Sequence, residues 1–272
     1  MEEVKCERKL FSLPLMYNSL MRKLNESTTP GAAVRQAGEG HWRFSIPGGE
    51  AGGYRVAQLD DYKGLPRRRF PHRPPFHIQL EGRASGKHLP GTWGFGLWND
   101  PFSLTLGFGG GRYFPALPNA AWFFFASPPN YLSLRDDLPA DGALAAAFRS
   151  PKLPFPLLSL GLPFLPLLAF RPAARWLRRA AGLLVRQDTA QLNLDPTAWH
   201  RYAFSWEQSG LEFRVDGETV LSTMISPLGP LGLVLWIDNQ YAALPPDGRL
   251  AFGALANPAA WIEVRGIEIS GE

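Results

Sequence analysis

Hydrophobic and polar positions begin to alternate regularly at about His41. Trp42, Phe44 and Ile46 alternate with polar neighbours, and Phe76, Ile78 and Leu80 alternate with His77, Gln79 and Glu81. That period of two is the signature of a half-buried strand. The runs 93-WGFGLW-98 and 103-SLTLGF-108 flank a turn expected at Asn99-Asp100-Pro101. A further strand is expected at 121-AWFFFA-126, then 200-HRYAFSW-206 and 211-LEFRV-215, with Asp216-Gly217 as the hairpin turn into 218-ETVLSTM-224. The runs 231-LGLVLWI-237 and 261-WIEVRGIEIS-270 complete the series; the apolar phase changes across Gly266, which predicts a bulge there. Many short strands without intervening helices predict an all-β chain, a two-sheet antiparallel jelly-roll sandwich.

Two stretches depart from the pattern. Residues 1–30 read as an N-terminal arm with helical tendency over 10-LFSLPLMYNSLMRKL-24, leaving 31–272 as the domain. Residues 139–187 read as an insert, a flap or lid. Within it, 153-LPFPLLSLGLPFLPLLAF-170 carries no charge over 18 residues, but Pro154, Pro156, Pro163 and Pro166 argue against a regular spanning helix. The following 171-RPAARWLRRAAGLLVRQ-187 predicts a basic amphipathic helix. It either lays its apolar side on the sandwich or meets an anionic membrane surface.

Composition refines this picture. The 28 glycines and 26 prolines suit short strands and tight turns. Cys6 is the single cysteine, so no internal disulfide can form. The start, MEEVKCERKL, is acidic before it is basic and leads into no clean apolar leader run; the expectation is a cytoplasmic protein, with a peripheral membrane association as the variant of it. The net charge of +4 is segregated: seven basic residues and no acidic one lie from Arg149 to Arg186, leaving 21 basic against 24 acidic residues elsewhere. The basicity therefore belongs to one segment, and no nucleic-acid partner is expected. His41, His72, His77, His88 and His200 show no metal-ligand spacing, and 107-GFGGGR-112 has no following helix to make it a nucleotide loop.

Three blocks together resemble the concanavalin A-like lectin/glucanase superfamily, and most closely the laminarinase-like family 16 glycoside hydrolases. They are 76-FHIQLEGRASGKHLPGTWGFGLWNDPF-102, 199-WHRYAFSWEQSGLEFRVDGETV-220 and 261-WIEVRGIEI-269. The resemblance implies two curved sheets with a ligand held across the concave face. It also implies a strand carrying an E-x-D-x-E or E-x-D-x-x-E acidic motif, whose nucleophile and acid lie about 5–5.5 Å apart. Here no Asp or Glu occurs between Asp100 and Asp136, and the corresponding strand is AWFFFA. No catalytic role carries over. A structural calcium is a family feature for which no ligands are assigned in this sequence; no other cofactor and no metal site is expected.

The candidate ligand-binding residues are Trp93, Trp98, Asn99, Trp122, Asn130, Tyr131, Trp236, Asn239, Gln240 and Tyr241, with Asp100 and Asp238 as the two carboxylates among them. Aromatic faces beside amides and carboxylates suit a sugar ring, which has apolar faces and equatorial hydroxyls. The leading expectation is a carbohydrate, glycolipid or other amphiphilic ligand in an aromatic concave cleft. Two alternatives accompany it. One is a non-hydrolytic acid-base enzyme, an isomerase or cyclase, using Asp100 or Asp238 on an apolar lipid or terpenoid-like molecule. The other is a peripheral membrane protein that acts through residues 153–187.

Overall fold

The computed structural model describes residues 24–101, 116–153 and 169–271. Among the described residues, sixteen strands and one α-helix are formed. The strands are β1 (Asn25–Thr28), β2 (Ala33–Gly38), β3 (His41–Ile46), β4 (Val56–Asp60), β5 (Phe76–Ala84), β6 (Thr92–Trp98), β7 (Ala120–Ala126) and β8 (Gly142–Arg149). They continue with β9 (Arg186–Gln191), β10 (His200–Trp206), β11 (Leu211–Val215), β12 (Glu218–Thr223), β13 (Gly232–Asp238), β14 (Gln240–Ala243), β15 (Ala251–Ala254) and β16 (Ala260–Gly271), and the helix is α1 (Arg171–Leu184).

Two seven-stranded sheets face each other, in the orders β1-β4-β13-β6-β7-β8-β9 and β12-β11-β10-β5-β16-β3-β2. The antiparallel jelly-roll sandwich expected from the strand pattern is the fold found. The interior between the sheets is filled by alternate residues of each strand, including Phe44, Ile78, Phe95, Phe123, Tyr202, Phe213, Leu235 and Ile262. Asp216-Gly217 turns the β11–β12 hairpin, with Asp216 at φ 53° and Gly217 at φ 89°. The bulge expected at Gly266 is present as a shift in the β16–β5 register between Arg265 and Glu268.

Two boundaries differ from the sequence reading. Asn25–Thr28, read as the end of an arm, is strand β1 paired with β4. Residues 142–149, read as the start of the insert, are strand β8, paired with β7 and β9. Its sequence GALAAAFR has low β propensity, but Ala145, Ala146 and Ala147 are buried and the small side chains fit between close neighbours. Strand β8 therefore ends at Arg149, and the sheet resumes at Arg186, the first residue of β9. The helical tendency over 10–24, the strand at 103–108, the 107–112 glycine run and most of the uncharged 153–170 run fall largely or wholly outside the described residues. Among those described, no helix is long and apolar enough to cross a membrane.

Candidate functional site

The central strands of the first sheet, β6, β7, β8 and β13, have two apolar faces. Inward residues join the interior, and the other face carries a second cluster containing Ala120, Trp122, Phe124, Ala126, Ala146, Phe148, Val234 and Trp236, with Trp98 beside them. The register explains how these side chains meet. Trp236 pairs with Gly94 and Gly94 with Phe124; Val234 pairs with Gly96 and Gly96 with Trp122. The two glycines of β6 form a floor beneath the larger neighbours. A Cβ at Gly94 would lie 2.9 Å from Trp236 Cη2, and one at Gly96 would lie 2.6 Å from Trp122 Cβ. The aromatic rings close over that floor: Trp98 stacks parallel to Trp236 at 6.4 Å, and Trp122 lies 6.0 Å from Trp236 and 5.9 Å from Trp98. Phe124 and Phe148 extend the layer, 5.5 Å from Trp236 and 5.9 Å from Trp122 respectively. The Trp98 indole N–H donates to Tyr62 Oη at 2.8 Å, which holds the rim.

This layer is covered. Trp122 and Trp236 are 6% and 8% exposed. A recess of about 10 Å³ remains beside it, lined by Trp122, Phe124, Leu132, Phe148, Gln187 and Thr189 among others. That is the lower limit for one water molecule. The polar groups of this corner are Gln187, whose Nε2 donates to Ser133 Oγ and whose Oε1 accepts from Leu134 N, and Thr189, whose buried hydroxyl has no hydrogen-bond partner among the described residues.

Asp238 lies on the same face at one end of β13. Its Oδ1 accepts from Thr92 Oγ1 at 2.7 Å, Thr92 N at 3.3 Å and Gln240 N at 3.2 Å, and Tyr54 also hydrogen-bonds to it. Thr92 Oγ1 in turn accepts from the Trp236 indole N–H at 2.9 Å, tying the carboxyl to the aromatic layer. Burial disfavours the ionised form more than these donors favour it, so the Asp238 carboxyl is pushed up to about 7. Burial, together with the Asp238 charge, also raises the Tyr54 phenol well above its ordinary value.

Not all the expected residues reach this face. Trp98, Trp122 and Trp236 do. Trp93 does not: it occupies the opposite pleat of β6 and stacks on Phe125 in the inter-sheet interior, with ring centres 3.6 Å apart. Alternation explains the correction, because residues one apart on a strand take opposite faces. Asn99, Asn130 and Asn239 staple loops. Asn99 donates to Leu117 O and accepts from Asn119 N. Asn130 donates to Ser127 O and accepts from Ala242 N, and Asn239 donates to Gly53 O and Leu255 O while accepting from Arg55 N. Gln240 and Tyr241 form the start of β14, and Tyr131 makes a bridge to Ala243.

Asp100 and Asp238 do not converge. Asp238 pairs with Thr92 at the start of β6, whereas Asp100 follows Trp98 at its end. Six residue steps of strand separate those ends, roughly 20 Å. Asp100 has φ 46° and sits in the turn after β6, where its backbone carbonyl accepts from Arg67. Asp60 is a buried carboxylate of this face not singled out from the sequence; it accepts from Gln58 Nε2 and Lys63 N. It pairs with Val234, four residues before Asp238, so about 13 Å of strand separates the two carboxylates. The neighbouring Asp61 binds His72 Nε2 at 2.6 Å and Leu233 N at 2.9 Å. The consecutive pair Asp60-Asp61 was the available sequence signal, placed at the end of β4. Among the described residues, no group of three His, Cys, Asp or Glu side chains is arranged to hold a metal ion.

No family model and no curated protein matches the chain. Solved structures similar to it include a legume lectin-like domain from Entamoeba histolytica, 10% identical, covering 94% of this chain and 92% of that one, with a TM-score of 0.49. A Bacillus licheniformis β-glucanase is similar at 10% identity, covering 92% of each chain, with a TM-score of 0.46. An endo-β-1,4-glucuronan lyase from Trichoderma reesei is similar at 10% identity, covering 92% of this chain and 88% of that one, with a TM-score of 0.45. By its own strand order, with two seven-stranded sheets whose strands all pair antiparallel, the chain is an antiparallel jelly-roll sandwich.

Proposed function

We propose that the protein is a non-hydrolytic binding protein for an amphiphilic ligand of the glycolipid class, whose apolar part is taken against the aromatic outer face of the first sheet. The observation that carries this reading is the layer of Trp98, Trp122, Phe124, Phe148 and Trp236 across the centre of that face, with no carboxylate on β7. Retaining hydrolysis requires two carboxyl groups about 5–5.5 Å apart and inversion about 6.5–9.5 Å. The separation of Asp60 and Asp238 along the strands exceeds both. A free polysaccharide also needs an open groove with convergent polar partners, whereas this face is covered and apolar. An acyl or isoprenoid chain suits such a lining, and Ser133, Gln187 and Thr189 supply polar contacts at its edge.

Because the recess is only about 10 Å³, entry of an acyl chain requires the residues that line it to move apart. The test is a thermal-shift comparison of the full chain with glycolipid-containing lipid extract, with the delipidated sugar heads, and with soluble β-glucan oligosaccharides. The expected result is stabilisation by the glycolipid fraction alone, lost in Trp122→Leu, with the bound species recovered by native mass spectrometry. Stabilisation by the oligosaccharides instead, or by nothing in the panel, would overturn the reading.

A second reading rests on Asp238, the buried carboxyl poised near neutrality. It would serve as a proton donor to an apolar substrate. It is the weaker reading, because Thr92 and Gln240 already hold its Oδ1. Turnover of any lipid that binds, abolished by Asp238→Asn without loss of binding, would establish it.

A further inference from the structure

The helix α1 is oriented against the usual rule for a helix on a water-soluble protein, which buries its apolar stripe and exposes its charges. Its buried side is made of Ala174 and Arg178, and is continued by Val185 just beyond the last turn. Arg178 is the anchor. Its guanidinium donates to Leu244 O at 2.9 Å and Ser133 O at 3.1 Å, and pairs with Asp136 at 2.6 Å. The side chains that would ordinarily be buried point outward: Trp176 is 69% exposed, Leu183 86%, Leu184 48% and Leu177 38%. The i, i+7 and i, i+8 spacing of Trp176, Leu183 and Leu184 puts them on one face.

Arg171, Arg175 and Arg179, spaced i, i+4 and i+8, form an exposed row beside that face, and none makes an ion pair among the described residues. Phe170 before the helix is 63% exposed. The turn between β14 and β15 meets the first turn of α1 at Gly248, where an added Cβ would lie 2.5 Å from Arg171 O. That hairpin adds Leu250 and Phe252, 41% and 46% exposed, to the apolar surface on this side of the molecule.

We propose that the outward face of α1 docks the protein onto an anionic membrane surface. Trp176, Leu177, Leu183 and Leu184 enter the boundary between headgroups and acyl chains, and Arg171, Arg175 and Arg179 meet lipid phosphates and carboxylates. The charge pattern selects this occupant. The helix has an arginine row and no acidic residue, so it complements a negative surface, and parallel copies of the same face would repel one another. A bilayer interface accepts an apolar strip and an adjoining basic row together. Arg178, engaged with the body of the protein, holds the helix axis in place while its outer face remains available. The inference is independent of the ligand reading, since it uses none of the residues of the first sheet's outer face.

The test is co-sedimentation of the full chain with vesicles of phosphatidylcholine alone and of phosphatidylcholine containing about 30% phosphatidylserine. The protein is expected to bind the anionic vesicles, to stay in solution with neutral ones, and to be released at about 0.5 M salt, where screening is short-ranged. The double substitution Trp176→Ser with Leu183→Ser, and separately Arg175→Gln with Arg179→Gln, should each weaken binding by roughly tenfold or more. Because all four side chains are exposed, melting temperatures should not move, which separates lost docking from lost folding. Failure to bind the anionic vesicles overturns the proposal. So does sedimentation velocity showing, without lipid, a dimer that Leu183→Ser dissociates, because the face would then belong to a second copy. The outcome does not depend on whether a glycolipid stabilises the protein, so this proposal and the ligand reading can fail separately.

Discussion

The outer faces of the two sheets differ sharply, although both are built from antiparallel strands over one interior. On the first sheet that face is aromatic and dry, with Trp122 and Trp236 lying over Gly94 and Gly96. On the second it is charged. Arg43 lies 4.2 Å from the Trp261 ring, while Arg83 and Arg265 lie 4.7 and 4.1 Å from Trp199. Glu263 receives Arg83 at 2.7 Å and Arg43 at 3.4 Å, and an open groove of about 290 Å³ runs past Glu39, Glu81, Arg201 and Arg265. The carboxyl groups respond in opposite directions. Asp238 on the first face is raised by burial, and Glu81 on the second is lowered by hydrogen bonding to Arg265. The lesson is that the second face meets the solvent demand of the sandwich, which leaves the first free to be apolar for another purpose.

Substitutions can break this contrast. The largest effect is expected for Trp122→Ala, which leaves a void among Trp98, Phe124, Phe148 and Trp236 and should cost about 3–5 kcal/mol in urea unfolding. Asp238→Asn comes next. The folded Asp238 carboxyl holds its proton up to about 7 against an ordinary 3.8. Between about pH 4 and 7 the folded state therefore binds more protons than the unfolded state, and this group's contribution makes stability fall as pH rises. Subtracting the unfolding free energy of Asp238→Asn from that of the unsubstituted protein should show a decline on the order of 2–4 kcal/mol across that window; a flat difference would show an exposed, ordinary carboxylate.

Gly96→Ala should cost about 2 kcal/mol, because its Cβ would meet Ala121 O at 2.4 Å and Trp122 Cα at 2.5 Å. Glu263→Gln should cost about 1–2 kcal/mol: the carboxylate is buried, but its arginine partners are partly exposed and solvated. Arg265→Ala on the second face should cost less than about 1 kcal/mol. Its clearer signature is a rise in the Glu81 carboxyl titration followed by NMR, because the hydrogen bond from Arg265 holds that carboxyl below its ordinary value. Equal losses for Trp122→Ala and Arg265→Ala would remove the contrast between the faces.

Much of the sandwich was legible because alternation is a local signal. The periods at 41–46, 76–80 and 200–206, and the Asp216-Gly217 turn, correspond to β3, β5, β10 and the β11–β12 hairpin. The strand β8 was not legible, since GALAAAFR has neither alternation nor strong β propensity, and only its two neighbours make it a strand. The site was legible in part. Trp98, Trp122 and Trp236 share a face by parity and register, which also sends Trp93 inward. Strand direction was the missing information for Asp100 and Asp238: both follow aromatic strand ends in sequence, but β6 and β13 run antiparallel, so those ends lie at opposite edges of the sheet. The outward face of α1 was hidden as well. The heptad-like spacing of Trp and Leu shows a stripe but not which way it points, and the buried Arg178 reverses the usual choice.

Strand β9 bonds to β8 on one side only, at the border of the first sheet, and it contributes Gln187 and Thr189 to the corner beside the aromatic layer. A border strand is released by breaking one ladder, whereas freeing β7 or β8 requires breaking two. In hydrogen exchange, the β9 amides should therefore report a smaller opening free energy than those of β6 and β7, and exchange through a local event rather than global unfolding. The corner would then gain access to its surroundings by fraying along this border while the interior between the sheets stays protected. Since only Val185 separates β9 from α1, the helix and the most easily released wall of the corner form one continuous stretch of chain.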